Sequence, residues 1–488
     1  MARMNSILLL LVWCCLITGT LAADHYIRAG ASGNGSDWTN AYGELPATLV
    51  RGDTYYIADG NYPDYTVDDG KSGQTLITIK KATVSDHGTE AGWQEAYGDG
   101  QAVFPGLNIN TSYMVWDGVR GGGADRSAYG FRMEGNCDRV VGLPAMGNHN
   151  NSFTAVTFSH TAVIACGQGT ACQMCIYSNP LVALRFTVSH CYFTGGSSNM
   201  QTRKWQDCII EYNYFDGNWS SSSCHGQQIS PGGGEKNVTY RYNIFKNSSV
   251  FVLGIHGITG NPAGMYARNT VKVYGNLVIG GNFTAIFANA DSGHDNVVVQ
   301  SFFHNNTVIN ADCGGRGVVF VGNLTDPTGD KSYAYNNLIY NSTKVGFGVE
   351  HDHNSFYDCE LNWNFSPATN EKELTGNPFV NVASENLQLT RATDRGKALS
   401  APYDKDYNGS PRGADGTWDR GAYEYVKTNI ERRTLNVEYR IPSTQPQNNI
   451  IRVYDLNGCT TNMNNSKQTG IYLAVDGTGV VKKVTVIK

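Results

Sequence analysis

Asparagine returns at a nearly constant interval through the middle of this chain. Asn213, Asn243, Asn276, Asn306 and Asn337 stand 30, 33, 30 and 31 residues apart. Most close a short strand-forming run, as in "CIIEYNYF" from Cys208 and "VTYRYNIF" from Val238. A period near 30 residues is the mark of stacked units, each unable to bury its apolar face alone. Within the units Cys208, Ile210 and Tyr212 alternate with Ile209 and Glu211, and Val238, Tyr240 and Tyr242 with Thr239 and Arg241. Alternation over five residues predicts a half-buried strand. The Asn falls where the chain must bend, and it tolerates left-handed backbone there. Its amide both donates and accepts, so stacked copies can bond along one column.

A second apolar run follows each Asn: "QQIS" at 227, "VFVLGI" at 250, "AIFANA" at 285, "GVVFVG" at 317 and "VGFGVE" at 345. Two or three short strands per unit, joined by Gly/Ser/Asn/Pro loops, predict an all-β parallel solenoid whose coils stack at about 4.8 Å. A doubly wound sheet would need amphipathic crossover segments, and none occurs. A β-sandwich would not hold an Asn at one phase of a constant interval. With 56 Gly, 28 Tyr and only 16% charged residues, the composition suits strands and turns better than helices.

The termini read differently from the body. Arg3, the apolar run "ILLLLVWCCLI" and "TLA" before Ala23 predict a signal peptide over residues 1–22. That run is too short to span a bilayer, and no other segment approaches transmembrane length. The net charge of −5 becomes about −6 on loss of Arg3, and residues 431–488 hold eight Lys/Arg against four Asp/Glu. The body, 23–425, is therefore acidic, and nothing resembles a nucleic-acid-binding surface. Ten cysteines remain after cleavage. For "CGQGTACQMC" (Cys166, Cys172, Cys175), disulfide or buried thiol, metal ligation and redox activity all stay open.

Three stretches carry a family resemblance. "HYIRAGASGNGSDWTNAYGEL" with "RGDTYYIADGNYPDYTV" looks like the opening coils of secreted bacterial β-helix proteins, the Asn-terminated coils like their body, and "GNPFVNVASENLQLT" with "DYNGSPRGADGTWDRGAYEY" like their closing segment. Together they resemble the right-handed parallel β-helix superfamily that includes pectate lyases. The resemblance is specific for architecture over about residues 25–425, and that architecture hosts lyases, hydrolases, epimerases and adhesins. "IRVYDLNGC" and "TGIYLAVDGTGVVKKVTVIK" resemble the C-terminal sorting domain of type IX secretion in Bacteroidetes-like bacteria. Asn-Gly and Asp-Gly turns between alternating strands independently predict a small β-sandwich-like module over 431–488. The resemblance implies a secreted or cell-surface protein with the secretion machinery as a partner of the tail.

Two regions could carry chemistry. Aligning the coils places Ser189, Glu211, Arg241, Tyr274, His304 and Tyr335 two residues before the Asn, with Cys191 standing as an Asn equivalent. Alternation points this column away from the core. An acid, a cation, a phenol and an imidazole in line would make a groove, or an exposed ladder worth a few tenths of a kcal/mol per contact. The second region is "NWSSSSCHGQQISPGGGEK", with Trp219, His225 and Gln227. It resembles a His-Gly-Glu segment of bacterial β-helix proteins, with Gln227 in place of the Glu. His256 on the next coil would share its cleft. Uronate elimination needs a cation for the carboxylate, a base and an acid; Arg241, His225 and Tyr274 are the catalytic candidates. Glu211, Trp219, Gln227, His256 and His304 are substrate-binding candidates. Asp404, Asp406, Asn408 and Asp415 in "DKDYNGSPRGAD" follow a calcium-loop spacing and make Ca²⁺ the one cofactor candidate. The resulting expectation is a secreted polysaccharide-binding β-helix that cleaves a uronic-acid glycan by β-elimination. A non-catalytic adhesin or glycan-binding solenoid, and a glycoside hydrolase, stay open beside it.

Overall fold

The computed structural model describes residues 22–135, 139–143, 152–167, 172–178, 182–202, 204–224, 226–231, 235–255, 269–282, 287–289, 299–313, 319–321 and 331–426, together with four strands between 452 and 486. The expected signal peptide, His225 and His256 lie outside the described residues. The chain divides into two compact units, 1–427 and 428–488. No helix of the described residues is long and apolar enough to cross a membrane.

The first unit winds three strands per turn. One coil runs Ile209–Glu211, Tyr214–Asp216, Gln227–Pro231, and the next begins at Val238–Arg241. Like strands of successive coils pair in parallel, giving, among the described residues, thirteen strands in sheet I, twelve in sheet II and ten in sheet III. The first unit is a right-handed parallel β-helix. Short strands suffice because every coil is hydrogen-bonded to the coils above and below, and the apolar side chains line up inside. Val188, Ile210, Tyr240, Val273, Phe303 and Ala334 form the inner file of sheet I. Phe193, Phe215 and Phe245 continue it on sheet II, with ring centroids 4.9 Å apart.

The asparagines lie in single file at the corner between sheets I and II. Asn213 Nδ2 donates to Asn243 Oδ1 at 3.0 Å, Asn243 Nδ2 to Asn276 Oδ1 at 3.1 Å, Asn276 Nδ2 to Asn306 Oδ1 at 3.0 Å, and Asn306 Nδ2 to Asn337 Oδ1 at 3.0 Å. Asn337 donates in turn to Asn354 at 2.9 Å, and Asn354 to Glu371 at 2.7 Å. At the other end Asn213 Oδ1 accepts the Cys191 N–H at 2.9 Å. The left-handed residue is not the Asn itself, as its turn chemistry suggested, but the one before it: Tyr212 (φ 54°), Tyr242 (φ 55°), Gly275 (φ 65°), Asn305 (φ 55°) and Asn336 (φ 61°). That frees the Asn side chain to point inward and satisfy buried backbone, while Tyr212 and Tyr242 swing out of the strand pattern that alternation assigned them.

A strap of residues 374–425 folds back over the outside of the coils. It buries a second apolar cluster, in which Leu277, Ile279, Ile309 and Leu338 on the outer face of sheet II meet Phe379, Leu387, Leu389 and Ala422. Trp418 Nε1 donates to Asn305 Oδ1 at 3.4 Å, the Ala422 N–H to Thr307 Oγ1 at 2.8 Å, and the Gly421 N–H to Asn336 O at 2.7 Å. Gly421 has φ 96°, and a Cβ there would stand 2.7 Å from Thr307 Oγ1, so only glycine passes. The second unit is described as four antiparallel strands, with Arg452–Tyr454 between Thr460–Thr461 and Gly470–Val475, and Val481–Val486 beyond.

Candidate functional site

The column expected from alternation is real as a row. Ser189, Glu211, Arg241, Tyr274, His304 and Tyr335 are successive register partners on sheet I. Arg241 reaches Glu211 Oε2 at 2.6 Å and Tyr274 Oη at 3.1 Å. Its guanidinium is thus already paired with a carboxylate of the same row. The row does not remain an open groove. Tyr274 is only 1% exposed and His304 3%, because Tyr403 of the strap packs edge-on against both rings at 4.9 and 4.8 Å. Outward-pointing in the strand pattern therefore does not mean solvent-facing here. Burial holds the His304 imidazole neutral, with its pKa pushed down to about 3. Tyr274 is closed off from any polymer lying on this face.

Sequence reasoning missed the acid–imidazole end of the same sheet. Asp117, on Met114–Asp117, accepts from His160 Nδ1 at 2.7 Å and Ser159 Oγ at 2.9 Å. Burial opposes ionisation of Asp117, but these two donors and the Val119 N–H hold its carboxyl down at about 2. His160 stacks on His190 at 4.9 Å, His190 on Tyr212 at 5.1 Å, and Tyr212 on Tyr242 at 5.1 Å. Burial, then the neighbouring His160, lowers the His190 pKa. The repeated "SHT" and "SHC" at 159–161 and 189–191 were the available signal. The rings cover one another's faces along the axis, leaving only edges outward.

The second expected region lies elsewhere on the solenoid. Residues 217–224 and 226 lie at the corner between sheets II and III, the corner that sheet I does not share. Trp219, half-buried, is tied in by its backbone N–H to Gly196 O at 3.0 Å, and Asn218 Oδ1 accepts the Ser249 N–H at 2.9 Å. Cys172 and Cys224 form a disulfide that staples this loop to the one opening the strand Met174–Ser178, two coils earlier. Cys175, by contrast, is a buried free thiol pushed up to about 12 by burial. The Cys166, Cys172 and Cys175 trio is therefore not a set of metal ligands. Gln227 is buried at the start of its strand. Arg241 and Tyr274 thus do not share a face with Trp219 and Gln227.

Beside that corner, the outer face of sheet III carries a file of different chemistry. Thr66, Asn108, Gly142, Tyr177, Gln201 and Ser230 are successive register partners over six coils. Five strand spacings make this file about 24 Å long. Arg139, exposed, lays its guanidinium 4.0 Å from the Tyr177 ring centroid.

The calcium-loop candidates lie in the turns of the strap. Asp406 is buried, its Oδ1 accepting the Asn408 and Ser410 N–H groups at 2.9 and 2.7 Å and its Oδ2 that of Glu424 at 3.1 Å. Asp415 Oδ1 accepts the Thr417 N–H at 2.9 Å. These residues, with Asp404 and Asn408, shape the turns of the strap. Among the described residues, no group of three or more His, Cys, Asp or Glu side chains is placed to hold a metal ion.

No known protein family matches the chain by sequence, and no curated protein does. Solved structures with a similar course include pectate lyase Pel9A, at 13% identity and TM-score 0.36 over 83% of this chain and 97% of that one. The A-module of mannuronan C-5 epimerase AlgE4 from Azotobacter vinelandii aligns at 11% identity and TM-score 0.22, covering 67% and 89%. DFA-IIIase from Arthrobacter chlorophenolicus A6, in complex with GF2, aligns at 13% and 0.19, covering 70% and 79%. These superpositions are loose. The fold class, a parallel β-helix, rests on the three parallel sheets themselves.

Proposed function

We propose that this is an exported polysaccharide-binding protein whose glycan lies along the outer face of sheet III. The observation that carries the reading is the six-coil file Thr66–Asn108–Gly142–Tyr177–Gln201–Ser230, flanked by Arg139 and by the stapled loop bearing Trp219. Sugar hydroxyls both donate and accept, as amides and hydroxyls do. Phenol and indole rings offer apolar faces with a polar handle to the C–H face of a sugar. Register places such groups at regular intervals, which suits an extended polymer. The sheet I row suits one less well, since its charges are mutually paired and its ring faces mutually covered.

The disulfide supports an oxidising, extracytoplasmic location, in keeping with a tail that serves the secretion machinery. Cleavage by β-elimination is the finer proposal. No member of the file is a carboxylate or an imidazole, so binding is the stronger part of the reading.

Native affinity electrophoresis in gels containing neutral or uronic-acid polysaccharides tests it, with ultraviolet absorbance reporting unsaturated products. Retardation by at least one polymer, lost in Tyr177→Ala/Gln201→Ala and kept in Arg241→Ala, is the expected result. Absence of retardation by every polymer, or loss only in Arg241→Ala, overturns the assignment. Ultraviolet product formation would add elimination; retardation without it identifies a binding solenoid.

A further inference from the structure

The strap creates a cavity that neither the sheet III file nor the paired sheet I row explains. It is about 380 Å³ and is lined by Phe302, His304, Tyr333, Tyr335, Lys397, Leu399, Ser400 and Tyr403. The floor is the outer face of sheet I, where Phe302 and Tyr333, and His304 and Tyr335, are register partners. These pairs stack along the solenoid axis, with centroids 6.2 and 5.3 Å apart. Their faces are therefore turned toward one another and their edges toward the cavity. Tyr403 forms the wall on the strap side, set at 76° to His304.

One cation stands at the mouth. Lys397 is exposed, and its Nζ lies 3.8 Å from the centroid of the Tyr335 ring. Its position is built rather than incidental. Asn336 Oδ1 accepts the Lys397 N–H at 2.8 Å, and Asn336 Nδ2 donates to Lys397 O at 2.8 Å, so a corner residue of the solenoid clamps the lysine backbone from both sides. His304 Nδ1 accepts the Tyr335 N–H at 3.3 Å, which leaves the proton of the neutral ring on Nε2 as a donor.

We propose that this cavity binds a small aromatic carboxylate. Ring edges carry the positive end of the aromatic quadrupole. They favour the electron-rich face of a flat aromatic guest, held in the edge-to-face arrangement already seen between Tyr403 and His304. Lys397 then meets the carboxylate at the mouth. The volume falls within the range of small-molecule sites and suits a guest of one ring. A sugar fits less well, because none of the eight lining residues is an amide or a carboxylate to satisfy its hydroxyls. This site is separate from the glycan face, so the two readings stand or fall independently.

Calorimetric titration of the full chain with para-hydroxybenzoate, with the neutral para-hydroxybenzyl alcohol and with galacturonate tests the assignment. The benzoate binds most tightly. Lys397→Met weakens the benzoate about tenfold or more, leaves the alcohol unchanged, and does not shift the melting temperature, since the side chain is exposed. Leu399→Glu, which sets a like charge in the wall, weakens the benzoate as well. Equal affinity for benzoate and alcohol, indifference to Lys397→Met, tighter binding of galacturonate, or no binding of any probe each overturns the proposal.

Discussion

Glu235 lies inside the solenoid, between the strands Gln227–Pro231 and Val238–Arg241, with no exposed surface. Its Oε1 accepts from Thr202 Oγ1 at 3.1 Å, and its Oε2 is buried with no hydrogen-bond partner among the described residues. Burial pushes the carboxyl from 4.5 up to about 8, so the folded protein holds it as the neutral acid. A folded-state pKa above the unfolded one means that the stabilisation is complete below about pH 4.5 and drains away as the pH rises to about 8. Some 3.5 pH units at about 1.4 kcal/mol each make the loss at most about 5 kcal/mol, comparable with the whole stability of many domains. Glu235→Gln supplies a neutral group of the same shape and removes this dependence. Urea unfolding followed by tryptophan fluorescence reads it out, since Trp205 is fully buried in the same stretch of solenoid. Between pH 5 and pH 9 the wild-type curve should fall several kcal/mol further than that of Glu235→Gln. Glu424, also raised by burial, to about 7, titrates in the same window but is common to both proteins and cancels. Asp117, held near 2, acts only in acid, where its contribution is lost as the pH falls. Parallel curves for the two proteins would refute the account of a carboxyl kept neutral by burial.

Asn276→Ala removes hydrogen bonds to Asn306 Oδ1 and Tyr240 O and two received from Asn243. At about 1 kcal/mol each it should cost about 4 kcal/mol, whereas Thr343→Ala, at an exposed bond to Asp312, should stay within about 0.5 kcal/mol; equal costs by urea unfolding would remove the special role of the column. Replacing Cys172 and Cys224 together by Ser should weaken retardation by glycan gels while leaving circular dichroism unchanged, because the staple orders the Trp219 loop rather than the coils. Unchanged retardation would take that loop out of the binding face.

The winding was legible because it depends on repetition. Each Asn meets the next, and the spacing of 30 to 33 residues reports one turn of chain whatever the loops contain. The outward row Glu211–Arg241–Tyr274–His304 was legible for the same reason. Its accessibility was not, because that depends on residues 374–425, which follow no period and are brought back by bonds such as Tyr242 Oη to Lys405 O, 163 residues apart. One sign of the cover was present. In "NLVI", "NTVI" and "NLIY" both faces of the sheet II strand are largely apolar, the pattern of a sheet buried on two sides. The calcium spacing falls on turns of the strap, where Asp406 accepts backbone N–H groups with both its oxygens. His160 and His190 were missed because the left-handed corner shifts them out of the strand alternation.

The strap also sets an order of assembly. Each coil touches only its neighbours and can wind as soon as its predecessor exists. Its flank cannot be sealed until Trp418, Arg420 and Ala422 have been made, because they latch onto Asn305, Asn354 and Thr307. A chain stopped before residue 374 would keep its rods of stacked phenylalanine yet leave Leu277, Ile309, Leu338 and the rings of Tyr274 and His304 bare. Completeness of synthesis is thereby written onto the surface: only the finished body hides that greasy stripe.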